Sequence, residues 1–164
     1  MDSRHQSTLR GFTLIEMVVT VAIIGILAAV AWPLFQSQSL KKTRTDGQIA
    51  LLSARQALVS FRSDNGAYPA SKNAATAALV SYRPTAADAP VEDCVAGRGY
   101  QAGNLNSCKG YYTLSVTAAD NNSFTLRATL NPPNADPECG NLTLDHLGTK
   151  GITGTATVRR CWGE

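Results

Sequence analysis

Phe12 to Trp32 reads FTLIEMVVTVAIIGILAAVAW, an apolar run broken by a single acid, Glu16. At about 1.5 Å per residue such a stretch makes a helix of about 30 Å, enough to cross the hydrocarbon core of a bilayer. From Phe12 to Leu40 the only formally charged residue is Glu16. Arg4 and Arg10 precede the run, but Lys41, Lys42 and Arg44 follow it. Flanking charge alone therefore does not orient the segment.

Three readings compete for this run. It is a plain single-pass anchor, or a secretory signal cut at the small-x-small triplet Ala29-Val30-Ala31, or a helix that is trimmed ahead of Phe12 and kept. The run is longer than a usual signal core and carries a carboxylate, which counts against the second reading. An ionisable side chain inside a membrane segment costs a few kcal/mol and points to a role. A cut between Gly11 and Phe12 would create an α-amino group four residues before Glu16, one helical turn away. The positive end of the helix dipole also favours an anion there.

Gly11-Phe12-Thr13-Leu14-Ile15-Glu16, followed by the unbroken apolar stretch, resembles the class III signal of type IV prepilins and pseudopilins. That resemblance implies cleavage after Gly11 by a prepilin peptidase, N-methylation of Phe12, and retention of the apolar helix. Under it, residues 1–11 are a cleaved leader and residues 12–33 the transmembrane and assembly helix. Residues 34–164 form an extracytoplasmic globular domain that includes the amphipathic half of the helix. The family also implies melting between a matching glycine and proline on assembly, here Gly25 and Pro33.

Beyond Pro33, Leu34 to Ser63 contains one glycine, Gly47, and no further proline. Leu51, Ala54, Leu58 and Phe61, with Leu52 alongside, form an apolar stripe at helical spacing. Asp64-Asn65-Gly66 followed by Tyr68-Pro69 is a helix stop. One long helix from Phe12 to about Ser63, kinked at Pro33, is expected. Lys41, Lys42, Arg44, Arg55 and Arg62 read as its solvated face.

Ser71 to Lys109 reads as an irregular loop, rich in Ala, Gly, Asn and Pro. Tyr111–Thr117 and Phe124–Leu130 alternate apolar and polar residues around the turn chemistry of Asp120-Asn121-Asn122, predicting a hairpin. Leu142–Leu147 is a third strand, Gly148–Gly154 a turn, and Thr155–Val158 a short edge strand. The fold class is α+β: a small antiparallel sheet covered by the helix stripe, the type IV pilin fold that the resemblance implies.

The four cysteines, Cys94, Cys108, Cys139 and Cys161, make no C-x-x-C pair. No metal site or cofactor is expected from them. Behind a membrane-targeting segment they suggest disulfides, in any of three pairings. The sequence-local pairing, Cys94 with Cys108 and Cys139 with Cys161, is the simplest. Cys139-Gly140-Asn141-Leu142-Thr143-Leu144, with Cys161-Trp162 near the end, resembles the tail of PilE-like minor pilins, which implies a Cys139–Cys161 loop. Cys94 with Cys108 rests on spacing alone.

No nucleophile–base pair, phosphate loop or paired carboxylates emerge, so an enzyme is not expected. Net charge is +3 over 164 residues, too small to argue for direct nucleic-acid binding. The resemblance implies an inner-membrane precursor, then a subunit, most like a minor pilin, of an extracellular pilus serving adhesion, twitching motility or DNA uptake. Its partners would be other pilin subunits, the prepilin peptidase and an inner-membrane assembly platform; nucleic acid would be met only through uptake. The alternative is a pseudopilin of a type II secretion system.

Overall fold

The computed structural model describes residues 12–81, 100–101, 104–132 and 134–163. The chain divides into two units, Met1–Ser39 and Leu40–Glu164. The first helix, α1, runs from Leu14 to Asn65, and its backbone is helical at both Gly25 and Pro33. It stops where the sequence says it should. Gly66 takes φ +79° and donates its N–H to the Arg62 carbonyl at 2.8 Å, a glycine-terminated helix end.

Within the first unit, Phe12 to Trp32 is exposed throughout. In the second unit burial begins at Thr43 and Arg44 and follows one face of α1. Ala50, Leu51, Ala54, Ala57 and Leu58 are buried, while Phe61 is half-buried and Leu52 exposed. The stripe is therefore one of leucine and alanine, narrower in side-chain size than its four large members suggested.

That face shares a core with the inner side of a four-stranded antiparallel sheet in the order β1-β2-β3-β4. The strands are β1 Tyr112–Ala119, β2 Phe124–Leu130, β3 Leu142–Asp145 and β4 Lys150–Ile152. Tyr112, Leu114, Val116, Phe124, Leu126, Ala128, Leu142 and Leu144 point inward at period two. A bulge between Val116 and Ala118 shifts the register of the first hairpin. The chain is thus α+β, a long helix with a small antiparallel sheet.

Five expectations need correction. Ser71–Lys109 is not all loop: Lys72–Ser81 forms a second helix, α2, whose buried Ala75 and Leu79 face the core and which packs on β1. Ser71 starts it by accepting the Ala74 N–H on its hydroxyl, and four alanines favour it. The third strand ends at Asp145, because Gly148, at φ +91°, returns its N–H to the Asp145 carbonyl. Lys150–Ile152, read as turn, is a strand; Gly151 lies against the Thr143 hydroxyl, leaving no room for a side chain. The expected edge strand at Thr155–Val158 gives way to a short helix, α3, Val158–Trp162, capped by Thr157 and ended by Gly163.

The basic face is the remaining correction. Lys41 and Lys42 are exposed, but Arg44 is buried and Arg55 half-buried. Arg55 donates to the His146 carbonyl at 3.1 Å, and Arg44 binds two acids.

Candidate assembly site

The start of α1 is set by Thr13. Its hydroxyl accepts the Glu16 N–H at 3.3 Å and its carbonyl accepts the Met17 N–H, so Thr13 caps the helix and Phe12 lies outside it. Glu16 falls in the first turn, where the helix dipole favours a negative charge. The Thr13-Leu14-Ile15-Glu16 spacing is a recognised helix-start pattern that could have been read from sequence.

Around Glu16 the surface is apolar. Phe12, Leu14, Ile15, Met17 and the aliphatic residues that follow, through Val30 and Trp32, all face outward. Leu14–Trp32 is the one helix among the described residues long and apolar enough to cross a membrane. Among the described residues of its own unit, a continuous apolar surface of this length has no counterpart to bury it. It requires lipid or other chains. Gly25 lies on it with open space where a side chain would project. Gly11 lies outside the described residues, so the junction Gly11–Phe12 is described on one side only.

The other sequence-predicted site is the C-terminal loop. Cys139 and Cys161 are joined, both buried, with S–S 2.01 Å. Cys108 is disulfide-bonded, and Cys94 lies outside the described residues.

What sequence reasoning missed is a buried charge cluster beside that disulfide. Arg44 Nε and Nη2 donate to the two oxygens of Asp136 at 2.6 and 3.0 Å, and Nη2 also reaches Glu138 at 3.1 Å. Hydrogen bonding to Asp136 holds the Arg44 guanidinium above its ordinary pKa, against the effect of burial. Burial pushes the Asp136 carboxyl up, but the Arg44 bonds and the N–H groups of Cys139 and Glu138 overcome it and hold it below the usual range. No motif signals a pair 92 residues apart. Asp46, also buried, accepts from the Ser107 hydroxyl and from the Lys109 N–H. Among the described residues no group of His, Cys, Asp and Glu could hold a metal ion.

Residues 9–32 match the prokaryotic N-terminal methylation motif. The window contains Gly11, Phe12, Glu16 and the exposed apolar helix. The N-terminal segment is similar to that of type IV pilins.

Relatives agree. The pilin-like chain is 38% identical over 66 residues to fimbrial protein EcpC of Eikenella corrodens, covering 40% of this chain and 43% of that protein. It is 32% identical over 72 residues to a fimbrial protein of Neisseria meningitidis serogroup B, covering 44% and 42%. It is 41% identical over 66 residues to type IV major pilin protein PilA of Myxococcus xanthus, covering 40% and 30%. Each match thus spans less than half of this chain and less than half of the relative.

Proposed function

We propose that this protein is a minor subunit of a type IV pilus. It is inserted in the inner membrane as a precursor, cut after Gly11, methylated on the Phe12 amine, and built into an extracellular filament through α1. One observation carries the reading: a fully exposed apolar helix, capped at Thr13 and bearing Glu16 in its first turn, inside a matched methylation motif.

In the membrane, Glu16 is close enough to the helix start to reach the headgroups. In a filament the same carboxylate is enclosed by apolar helices, where an unpaired charge would cost several kcal/mol. The Phe12 amine of an adjacent subunit, still charged after methylation, is the partner that neutralises it. Gly25 and Pro33 bracket the stretch whose helix loosens on assembly. The minor role is supported by the Cys139–Cys161 loop and its Gly-Asn-Leu-Thr-Leu flank, and the filament serves adhesion, twitching motility or DNA uptake.

The test is to shear filaments from cells and read this protein's N-terminus by mass spectrometry. The expected species begins at a singly methylated Phe12 and is present in the sheared fraction. The mature chain retained wholly in the cell envelope would favour the pseudopilin of a secretion system instead. A chain beginning at Trp32 would overturn both.

A further inference from the structure

Cys139 and Cys161 close the C-terminal loop, yet each end of that loop is held by more than its sulfur. On the first side, Arg44 of α1 grips Asp136 with two hydrogen bonds and Glu138 with a third. Asp136 in turn accepts the Cys139 N–H at 3.2 Å, so the same carboxylate fixes the cysteine backbone. On the second side, Gln48 lies one helical turn along α1 from Arg44. It donates from Nε2 to the Cys161 carbonyl at 2.8 Å. The two sides are also tied to each other, because Arg160 donates to Glu138 at 3.0 Å. That ion pair joins residues 22 apart, and the disulfide joins residues 22 apart. It is a second closure of nearly the same loop.

We propose that Arg44, Gln48, Asp136, Glu138 and Arg160 form a non-covalent clasp that docks the C-terminal loop on α1 independently of the disulfide, so that release requires both loss of the disulfide and acid. The clasp is local to residues 40–164 and does not depend on the filament reading. Its geometry adds a hold on the loop's two ends: β3 and β4 fasten its middle to the sheet, the disulfide acts mainly on the unfolded chain, and Arg44 and Gln48 bond both ends to the helix itself.

The acid requirement follows from the groups around Asp136. Arg44 faces it from α1 and Tyr112 from β1, where Asp46 of α1 also acts on Tyr112; Glu138 lies beside it, and Arg160 stands beyond Glu138 on α3. A carboxyl held below its ordinary range contributes stability above that range and loses it as pH falls through the lowered value. The clasp is therefore closed at neutral pH and opens only in acid below the ordinary aspartate value of about 3.9.

Trp162 reports on the C-terminal end of the loop, since its indole N–H ties α3 to the Gly151 carbonyl of β4 at 3.2 Å. The experiment uses the full chain in detergent micelles, following the Trp162 indole N–H by NMR and its hydrogen exchange. In the C139S/C161S double variant at neutral pH, the resonance should keep its wild-type position and protection. On acidification it should lose both, while the oxidised wild type retains them. Adding R44Q to the double variant should release the indole at neutral pH, lowering protection by about a hundredfold, the scale of breaking one side of a buried ion pair. R44Q alone, with the disulfide intact, should keep the sheet resonances, which separates release of the loop from failure to fold. Should R44Q fold poorly, R160Q at its exposed position replaces it, with a loss of about two- to fivefold. A free indole in C139S/C161S at neutral pH would overturn the proposal. So would protection unaffected by R44Q or R160Q in that background.

Discussion

Gly47 lies directly under the ring of Tyr112: a Cβ on Gly47 would sit 2.8 Å from Cδ2 and 2.9 Å from Cε2. The single glycine in the second half of α1 is thus the point where the helix admits the first strand. Gly47→Ala gains about 1 kcal/mol of helix propensity but forces the fully buried ring to move. Overpacking of that kind costs about 1–3 kcal/mol. The variant should melt at a lower temperature than wild type; an equal or higher midpoint would mean that the ring yields without strain.

The Tyr112 hydroxyl is itself buried without a hydrogen-bond partner among the described residues. Burial is the main cause that pushes its pKa up to about 12 from an ordinary 10. A raised folded value means stability that is complete below about pH 10 and is lost as pH climbs toward 12. Tyr112→Phe removes the orphaned hydroxyl and should stabilise by about 1 kcal/mol at neutral pH. It should also flatten the alkaline decline of the melting temperature, which thermal scans from neutral to strongly alkaline buffer would reveal.

Asp136→Asn takes the charge from the partner that Arg44 grips with two bonds. Glu138 still reaches Arg44, so the loss should lie at the lower end for a buried pair, about 3 kcal/mol. Because the Asp136 carboxyl is held low in the folded state, wild type should lose this advantage as pH falls, and the two proteins should converge in acid. Urea titrations at neutral and acidic pH measure the gap. A constant gap would mean that Asp136 acts by shape rather than by charge.

At the leader, Gly11→Val should stop maturation and leave full-length precursor in the inner membrane. A peptidase that closes on the residue before the cut has no room for a branched side chain. Intact-mass measurement of the membrane fraction gives the answer, and normal trimming of the variant would count against the proposed junction.

Glu16→Ala should insert and be trimmed like wild type, then enter filaments poorly. The quantity to measure is variant in sheared filaments relative to the membrane fraction. A subunit at the leading tip, with no neighbour ahead, would tolerate the change, so an unchanged ratio would place Glu16 outside the assembly contacts of this protein.

The two ends of this fold differed in how far local chemistry exposes them. The long helix, its stop at Gly66, and the hairpin around Asp120 were legible because periodicity and turn residues act over a few positions. Helix α2 was masked by composition: Ser71-Lys72-Asn73-Ala74-Ala75 reads as loop until the cap on Ser71 and the burial of Ala75 and Leu79 are seen. Strand β4 is only three residues long and exists by pairing Lys150, Gly151 and Ile152 with β3. Its glycine argues for a turn when read alone. In the assembly site the apolar run and Glu16 could be read directly, and the capping role of Thr13 could have been. Arg44 could not: a basic residue on a helix gives no sign of an acid 92 positions away.

Thr13 also bears on what trimming leaves behind. In the proposed maturation the cut falls two residues ahead of Leu14, where α1 begins, and only Phe12 would remain in front of the cap. The bonds that fasten the first turn, from Glu16 and Met17 back to Thr13, involve no atom of the leader. Severing the leader therefore leaves those two bonds in place. The cap also means that Phe12 already lies outside the wound helix, while the turn behind it is formed and, under the proposed assembly, ready to be handed from lipid to filament.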